Sequence, residues 1–410
     1  MSIVEKEWDQ IIKFLIRTNM PILPVYISGT NSTLFHAMGL IHPRLRTIKL
    51  PSELFNKKNK KIHIKIGHVI KTEDLKKIGS FKEISHYLKL KSNMLGNSIK
   101  IDHYYKKPIL GRKKRKKEII QPIDKKKIVA EIQQLPNTST LTEINEYKLI
   151  LIQSNNCPNL MLELGRKREL TFRAIGEGTN KEIDLDPFDI YYHHLIIWDT
   201  QKNELVGSYR MGKGDEIMEK FGISGFYVST LFDLNQKLGI TFRSSLELGR
   251  SFIAEPYQKK PITLLLLWKG ISIFMNQNPQ FKFLIGPVSI SSNYSKLSQS
   301  LIVKYSKQYL QDNSLTKYVK PKKKFKHKIF SQNKINNIIF GTGGEIDKLE
   351  QLLQETDNGK KLPILLKKYI GLNAKIIAFN IDTNFNNCLD GFLFLNYNEI
   401  PENLKEKIKN

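Results

Sequence analysis

The stretch that decides the fold is LELGRSFIAEPYQKKPITLLLLWKGI, residues 246–271. Its first part reads as a strand, and its last part is an apolar helix for which Pro261 suits the first position. Lys259 and Lys260 lie in the turn between them. Free backbone amides at a helix start, next to two lysines, attract a phosphate or a pyrophosphate. The alternative interpretation is a basic surface turn in front of a core helix.

Glu247 is the leading candidate for a general base in this strand. A carboxylate among apolar residues must be paired or have a raised pKa, and a raised pKa suits removal of a proton from an amine. Arg250 lies on the opposite face of a regular strand, so a direct pair with Glu247 requires a bulge or a strand end. A structural Glu247 paired with another arginine is the alternative.

Further strands and helices are predicted on both sides of this stretch. The predicted helices are PNLMLELGRKRELTFRA (158–174) and PITLLLLWKGISIFMNQ (261–277). The predicted strands are YKLILIQS (147–154), YHHLIIWD (192–199), ELVGSYRM (204–211), SLELGRSFI (245–253), FKFLIGPVSI (281–290), AKIIAFNI (374–381) and LDGFLFLNY (389–397). This alternation predicts an α/β or α+β domain over residues 146–410.

The N-terminal residues predict a fragment of another α/β layer. A helix at 5–17 is followed by two strand patterns, PILPVYISG (21–29) and KIHIKIGHVI (61–70). Two strands and one long helix cannot close a sheet, so residues 1–90 are expected to be the tail of a larger domain. Residues 91–145 are predicted to be a basic helical connector.

The composition excludes several classes of protein. With 40% apolar residues in 410 the chain can build a core, and its longest apolar run, Ile262–Trp268, is far shorter than the ~20 residues that a membrane span needs. Only Cys157 and Cys388 occur, without partners at metal-ligand spacing, so neither a disulfide framework nor a zinc site is expected. The cysteine content fits a reducing cytoplasm, and the charged N-terminus is unlike a secretory signal.

The net charge of +27 is concentrated in basic runs at 112–117, 125–127 and 320–328. Each run could bind phosphates, either of anionic lipids or of nucleic acid. Lysine far outnumbers arginine, which also indicates a compositional bias. A solvated linker is therefore the alternative interpretation.

An acidic cluster, Asp184, Asp186 and Asp189, surrounds a proline-containing turn. These carboxylates could hold a cationic amine or order nearby arginines, although aspartates in exposed turns are common. The arginines that draw attention in this lysine-rich chain are Arg168, Arg173 and Arg210, because arginine makes bidentate contacts with carboxylates and phosphates.

Two motif matches carry little weight. His194 and Asp199 have H-x-x-x-x-D spacing, but a strand between them would point their side chains to opposite faces. GTGGEID (341–347) lacks a full phosphate-loop pattern and is predicted to be a turn.

Residues 146–410 resemble the GNAT-like N-acyltransferases of ornithine and glycine lipid synthesis, also called hemolysin-like. The matching strings include GRKRELTFRAIGEGT, DLDPFDIYYHHLIIWD, LVGSYRM, FYVSTLFDL, LELGRSFI, LWKGI and LIGPVSIS. The resemblance implies a mixed-sheet fold and acylation of an amine from an acyl carrier protein thioester. Distantly related acyl-homoserine-lactone synthases share the sparse pattern of Arg168 and Phe172, Asp186 and Asp189, Arg210, then Glu247 and Arg250.

The resemblance also implies roles for individual residues. Glu247 and Arg250 would be catalytic, with Glu247 deprotonating or orienting the amine. The substrate pocket would comprise Arg168, Phe172, Arg173, Asp186, Asp189 and Arg210. The acyl donor, with its pantetheine phosphate, would bind at Tyr257, Gln258, Lys259 and Lys260. QKKPIT lacks the glycines of the usual GNAT pyrophosphate loop, which weakly favours acyl carrier protein over a coenzyme A donor, although acyl-CoA stays possible.

Residues 1–90 resemble the C-terminal part of a lysophospholipid acyltransferase domain through NMPILPVYISGTNSTLF, IHPRLRTIKLPSELF and IHIKIGHVI. That family's catalytic histidine and aspartate are expected upstream of residue 1, so this half is expected to be inactive.

The sequence thus predicts a cytoplasmic acyltransferase that is peripheral on the inner face of the membrane, with no bound cofactor or metal. Its expected partners are acyl carrier protein, an amino acid acceptor and anionic lipid, with no specific nucleic acid. The alternatives are an acyl-homoserine-lactone-like synthase, which FYVSTLFDL and the long C-terminal extension disfavour, and a non-catalytic protein that binds membranes or nucleic acid through its basic runs.

Overall fold

The chain forms two compact units in a computed structural model that describes residues 4–28, 42–55, 61–104, 116–326 and 332–409, with positions 32, 34, 35 and 38. The smaller unit consists of Met1–Leu110 and Ile329–Lys361, and the larger unit of Gly111–Lys328 and Leu362–Asn410. These boundaries differ from the predicted ones. Residues 332–361 pack with the N-terminal residues, and residues 116–145 belong to the larger unit, because contacts between distant segments decide the division.

The helices are numbered along the chain. In the described residues they are α1 Val4–Thr18, α2 Pro43–Phe55, α3 Thr72–Lys76, α4 Phe81–Tyr104, α5 Lys125–Gln133, α6 Pro158–Ala174, α7 Gly214–Phe221, α8 Gly239–Arg243, α9 Pro261–Gln277, α10 Lys296–Tyr305, α11 Asn313–Thr316, α12 Gln332–Phe340, α13 Ile346–Thr356, α14 Ile364–Gly371 and α15 Glu402–Lys409. Helices α6 and α9 have the predicted bounds, and each begins at a proline.

The strands are numbered in the same way. They are β1 Val25–Ile27, β2 Ile64–Ile66, β3 Thr140–Ile144, β4 Tyr147–Gln153, β5 His193–Asp199, β6 Glu204–Lys213, β7 Phe232–Leu234, β8 Ser245–Ile253, β9 Phe283–Ile290, β10 Val319–Pro321, β11 Lys375–Asp382 and β12 Cys388–Asn396. All seven strands predicted beyond residue 146 are confirmed. Strand β3 lies in the segment that was predicted to be a connector.

The smaller unit has a modest core and contains a buried ion pair. Strands β1 and β2 pair antiparallel and are only three residues long, shorter than the predicted runs. The core is formed by Ile12, Ile70, Leu75, Ile78, Ile84, Tyr87 and Leu88. Within this unit, Lys91 donates to Glu355 over 2.6 Å and both side chains are buried, so the C-terminal segment is part of the unit's interior.

The larger unit is built on an eight-stranded sheet in the order β11-β12-β9-β8-β6-β5-β4-β3. Every neighbouring pair is antiparallel except β8 and β9. Side chains alternate across β5: Leu195 lies against Gly270 of α9, whereas Ile196 joins the core with Leu160 and Leu164 of α6. Helices therefore cover both faces, which explains the continuous apolar run LIIW in β5.

The sheet opens between β8 and β9. The two strands pair over only three positions, from Ser245 opposite Phe283 to Glu247 opposite Ile285. Gly286 follows with φ +153°, and a Cβ there would lie 2.0 Å from the carbonyl oxygen of Leu248, so only glycine fits this approach. Beyond it β8 continues beside β6, and β9 continues beside β12.

A bulge in β8 lies at the start of this opening. The register between β6 and β8 shifts between the pairs Ser208–Phe252 and Arg210–Gly249. Within this shift, Arg250 adopts a left-handed conformation with φ +51°. A non-glycine residue in this conformation is uncommon and points to a local requirement. The bulge turns Arg250 out of the regular strand alternation.

No helix in the described part of the chain is long and apolar enough to cross a bilayer. Of the basic runs, positions 112–115 and 328 lie outside the described residues. The run at 125–127 begins α5, and the exposed pair Lys125–Glu204 is 2.7 Å long. The GTGGEID segment is a turn before α13, as predicted, with Gly343 and Gly344 at positive φ.

Candidate active site

Glu247 is fully buried at the centre of the large sheet, just before β8 and β9 part. Its carboxylate accepts hydrogen bonds from the Tyr192 hydroxyl, the Tyr227 amide at 2.9 Å and the Val228 amide at 2.8 Å. Burial raises its pKa, and these hydrogen bonds together with Arg210 oppose the rise. Glu247 therefore fixes the 227–228 segment against the sheet, and its predicted part in deprotonating or orienting the amine stays a prediction.

Arg168, on α6, holds the acidic turn that the sequence singled out. Its guanidinium donates to Asp184 over 3.0 Å and to both carboxylate oxygens of Asp189, over 3.1 Å and 2.8 Å. All three side chains are at most 4% exposed. Asp186 and Asp189 also form a capping box around Pro187, so the turn is rigid. The aspartates are thus ordered by arginines and do not lie free in solvent.

Arg210 and Arg250 converge on Asp186 from β6 and β8. Arg210 Nη1 lies 2.6 Å from Asp186 Oδ1 and 3.2 Å from Asp189 Oδ1. Arg250 lies 3.5 Å from Asp186 Oδ2 and 3.4 Å from Asp184 Oδ2. The left-handed bulge makes this second contact possible, because it points Arg250 towards the acidic turn. Five of the predicted residues, Arg168, Asp186, Asp189, Arg210 and Arg250, therefore form one connected cluster beside Glu247.

This cluster has strong electrostatic consequences. Burial works against the charge of Asp189, but Arg168 and Arg210 outweigh it and hold the pKa of Asp189 well below its usual range. The neighbouring His194 is completely buried, which lowers its pKa to about 4 despite Asp189 nearby. His194 is therefore neutral at physiological pH, while Asp189 is ionised.

The guanidinium of Arg210 retains spare donors. Its Nε and Nη2 atoms are buried without a hydrogen-bond partner among the described residues, whereas Nε of Arg250 lies 3.4 Å from Asp184 Oδ2. Arg210 is 1% exposed and lies 5.0 Å from the ring centre of Tyr227, which also lies 5.1 Å from Arg250. Buried donors without acceptors are costly, so this arrangement is ready for an additional anionic acceptor.

A second group of carboxylates, which sequence reasoning missed, lies near Arg250. It consists of Glu177, after α6, Asp382, at the end of β11, and Asp390, on β12. All three are buried, and Asp390 accepts a hydrogen bond from Ser289 over 2.7 Å. Burial together with Asp390 raises the pKa of Glu177 to about 8. Burial together with Asp382 raises the pKa of Asp390 to about 7, so both carboxyls titrate near neutral pH.

Local hydrogen bonds fix the position of Glu177. The preceding backbone carbonyls accept from Ser291 over 2.8 Å and from Asn386 over 2.6 Å. Phe172, a predicted site residue, packs edge-on against Phe385 at 5.1 Å, and Phe385 in turn lies 4.7 Å from Arg250. The sequence signals for this region were GEGT at 176–179 and NIDTNFN at 380–386, both within strings that match the family, and no pattern linked the two.

The remaining predicted residues lie elsewhere. Arg173 donates to Glu169 over 2.7 Å and to the Lys117 carbonyl over 2.8 Å, so its contacts are structural and lie outside the cluster.

The residues predicted to bind the acyl donor lie between β8 and α9. Tyr257 is buried, and its hydroxyl donates to Asp199 over 2.9 Å. Gln258 donates to the carbonyl of Ile253. Lys259 and Lys260 are exposed before the first turn of α9, and Lys260 also contacts the Tyr147 hydroxyl over 2.9 Å, while their predicted part in donor binding stays a prediction.

The motif formed by His194 and Asp199 does not come together. His194 faces Asp189, whose carbonyl lies 3.2 Å from Nε2, whereas Asp199 accepts from Tyr257. Within the described residues no group of three or more histidine, cysteine, aspartate or glutamate side chains has the geometry of a metal site.

Comparisons with known proteins point to the same region. Residues 168–269 match the acetyltransferase (GNAT) domain, a range that contains β5, β6, β8 and the start of α9. A glycine N(alpha)-acyltransferase of Phocaeicola vulgatus is 27% identical over 285 residues, which is 65% of this chain and 84% of that protein. A second glycine N(alpha)-acyltransferase, from Bacteroides thetaiotaomicron, is 29% identical over 206 residues, 48% of this chain and 61% of that protein. No solved structure matches the chain.

The mixed sheet, the opening between β8 and β9, and the buried arginine and aspartate cluster all lie in or beside the matched domain. The expected fold class, a mixed α/β structure with a GNAT-like domain, is confirmed. From the domain match and the two relatives together, we conclude that the chain is an acyltransferase with a GNAT-like domain and N-acyltransferase activity.

Proposed function

We propose that the chain transfers a fatty acyl group, such as a 3-hydroxyacyl group, from the phosphopantetheine thioester of acyl carrier protein to the α-amine of an amino acid. Glycine and ornithine are the acceptors that we would test first. The observation that carries this proposal is the buried cluster of Arg168, Arg210 and Arg250 with three aspartates beside the sheet opening. The relatives named as glycine N(alpha)-acyltransferases support glycine as an acceptor.

The opening between β8 and β9 supports a place for the thioester. Past Glu247, β8 has no ladder partner on the β9 side. Backbone amides of an unpaired strand edge can stabilise the oxyanion that forms when an amine attacks a thioester carbonyl. The exposed Lys259 and Lys260 precede the N-terminus of α9, where backbone amides and positive charge favour the phosphate of a pantetheine arm.

The proposed partners follow from charge. Acyl carrier proteins and anionic lipid headgroups are both negative, and a chain with a net charge of +27 attracts them over long distances. We therefore propose peripheral binding to an anionic membrane surface. Sedimentation with vesicles that contain or lack phosphatidylglycerol tests this, and equal sedimentation with both would contradict it.

We also propose that residues 1–90 derive from a lysophospholipid acyltransferase domain. No histidine in residues 1–90 is followed by aspartate five positions later, so we propose that these residues alone do not catalyse O-acylation. Incubation with a monoacylated glycine lipid and acyl carrier protein thioester tests this. A doubly acylated product would contradict it.

The decisive experiment for the N-acyltransferase uses the purified full chain with acyl carrier protein thioester or acyl-CoA and with glycine or ornithine. Mass spectrometry detects the N-acyl amino acid. We expect product with wild type and with Glu182→Gln, an exposed surface control, and loss with Arg210→Met. Absence of N-acyl product from folded wild type with both donors and both acceptors would overturn the proposal.

A further inference from the structure

Two groups of carboxylates lie near Arg250 and differ in their contacts with arginines. Asp186 and Asp189 form direct ion pairs with Arg168 and Arg210. Glu177, Asp382 and Asp390 form the second group, beside the loop between β11 and β12, where Asn386 donates to the Gly176 carbonyl over 2.6 Å and Phe385 lies 4.7 Å from Arg250. Burial and the neighbouring carboxyls raise the pKa of Glu177 and of Asp390 and Arg250 lowers it, so a cationic ligand would favour their ionised forms.

The same region holds unused donors. Arg210 Nε and Nη2 have no hydrogen-bond partner among the described residues, although the side chain is only 1% exposed. The phenol ring of Tyr227 contacts both guanidinium groups, and its hydroxyl lies 3.4 Å from Asp382 and 3.4 Å from Arg250 Nη1. Tyr227 thus lies between the guanidinium of Arg210 and the carboxylate of Asp382.

A zwitterionic α-amino acid complements this pair of features. Its carboxylate would accept hydrogen bonds from the guanidinium donors, and its ammonium would pair with the carboxylates of the second group. We propose that Arg210 and Arg250 bind the carboxylate of the acceptor and that Glu177, supported by Asp390, takes the proton from its ammonium. This inference rests on the proposed N-acyltransferase function and assigns its base to Glu177 instead of Glu247.

The proton balance of the reaction is complete with this assignment. The ammonium gives one proton to the Glu177 carboxylate and becomes a free amine, whose lone pair forms the C–N bond with the thioester carbonyl. The C–S bond then breaks, and the second proton lost from nitrogen leaves with the sulfur as a thiol. Glu177 returns its proton to solvent, to which its 8% exposure gives access.

The hydrogen bonds of Glu247 favour Glu177 as the base. Glu247 already accepts three hydrogen bonds from Tyr192 and residues 227–228, so it has little capacity left for a substrate proton. Asp390 is 2% exposed and bonded to Ser289 and Cys388, which suits a positioning residue. The charged or titratable groups that face Glu177 and Asp390 are Arg250 from β8, Asp382 from β11 and Cys388 from β12.

The test compares Glu177→Gln, Glu177→Asp and Asp390→Asn with the surface control Glu182→Gln, in the full chain with acyl carrier protein thioester and glycine. We expect Glu177→Gln to lower kcat by about 100-fold or more, Glu177→Asp to restore part of it, and the control to match wild type. Asp390→Asn removes a negative neighbour of Glu177, so the acidic limb of the kcat/KM profile should shift to lower pH.

Binding of the carboxylate is tested separately with glycinamide, which has the amine but lacks the carboxylate. Wild type should show a much higher KM for glycinamide than for glycine, and Arg210→Lys should reduce that difference. Circular dichroism confirms folding of each variant. A folded Glu177→Gln variant with wild-type kcat and pH profile would overturn the assignment, whereas the absence of N-acylation by wild type would overturn the proposed function itself.

Discussion

Arg168 and Asp189 form a bidentate ion pair inside the large unit, with Nη1–Oδ1 and Nη2–Oδ2 distances of 3.1 Å and 2.8 Å. The side chains are 1% and 4% exposed. Two hydrogen bonds in parallel orient the carboxylate, and the same aspartate contacts Arg210. The geometry of the acidic turn therefore depends on an arginine of a helix that covers the sheet.

Replacement of Arg168 should destabilise the fold. Arg168→Met keeps most of the side-chain volume but leaves Asp184 and Asp189 buried with fewer cations, so we expect a loss of about 3 to 5 kcal/mol in the free energy of unfolding. Urea unfolding measures it. The exposed Arg243→Ala should change stability by less than about 0.5 kcal/mol. Equal stability of Arg168→Met and wild type would show that the pair contributes nothing.

Replacement of Glu177 should stabilise the protein at alkaline pH. The pKa of this carboxyl is raised to about 8 in the folded state from 4.5, so the unfolded state loses its proton first and the stability contribution falls as pH rises from about 4.5 to 8. Glu177→Gln removes that loss, worth a few kcal/mol at ~1.36 kcal/mol per pH unit. Between pH 5 and pH 8, the free energy of unfolding measured with urea should fall less for Glu177→Gln than for wild type. Parallel pH dependence would contradict the raised pKa.

Glu247→Gln should lower activity through the position of Tyr227. A glutamine presents one carbonyl oxygen where the carboxylate now accepts from Tyr192, Tyr227 and Val228, so at least one buried amide loses its acceptor. We expect kcat to fall by about 10-fold to 100-fold while the pH of the acidic limb stays unchanged. A shift of that limb in Glu247→Gln would identify Glu247 itself as the titrating base.

Neutralisation of the lysines before α9 should weaken binding of the acyl donor. Lys259→Ala together with Lys260→Ala removes two exposed positive charges, and about 1.4 kcal/mol corresponds to a tenfold change in affinity. We expect KM for acyl carrier protein thioester to rise about 3-fold to 10-fold, more at low salt, with kcat nearly unchanged. Lys237→Ala, an exposed lysine after β7, is the control. An unchanged KM at low salt would place donor binding elsewhere.

Gly286 should be the more sensitive of two glycines at the sheet opening. A Cβ at Gly286 meets the Leu248 carbonyl oxygen at 2.0 Å, whereas a Cβ at Gly249 meets nothing within 4 Å. Gly286→Ala should cost about 2 to 4 kcal/mol in the free energy of unfolding, and Gly249→Ala less than about 1 kcal/mol. Thermal and urea unfolding of both variants test this. Equal effects would mean that β9 can move away from β8 at little cost.

The helices and strands of the larger unit could be predicted from the sequence. Pro158 and Pro261 begin helices whose apolar periodicity extends to residues 174 and 277, and the runs of β-branched and aromatic residues gave the strands. Local backbone preference and side-chain periodicity are properties of neighbouring residues, so they can be read from a window of sequence. The acidic turn was also recognised from its sequence. Arg168 and Arg210 were recognised because arginine is rare in this lysine-rich chain.

Only the tertiary structure decided which side chains meet. The bulge at Arg250 separates its contacts from those of Glu247, three residues before it, and no residue pattern in β8 specifies a left-handed φ there. Glu177 and Asp390 come from distant parts of the chain, and the loop between β11 and β12 brings the two segments together, because Asn386 donates to the carbonyl of Gly176. Strand order and register are set by packing across the whole sheet, and therefore the carboxylates that titrate near neutral pH could not be found from local sequence.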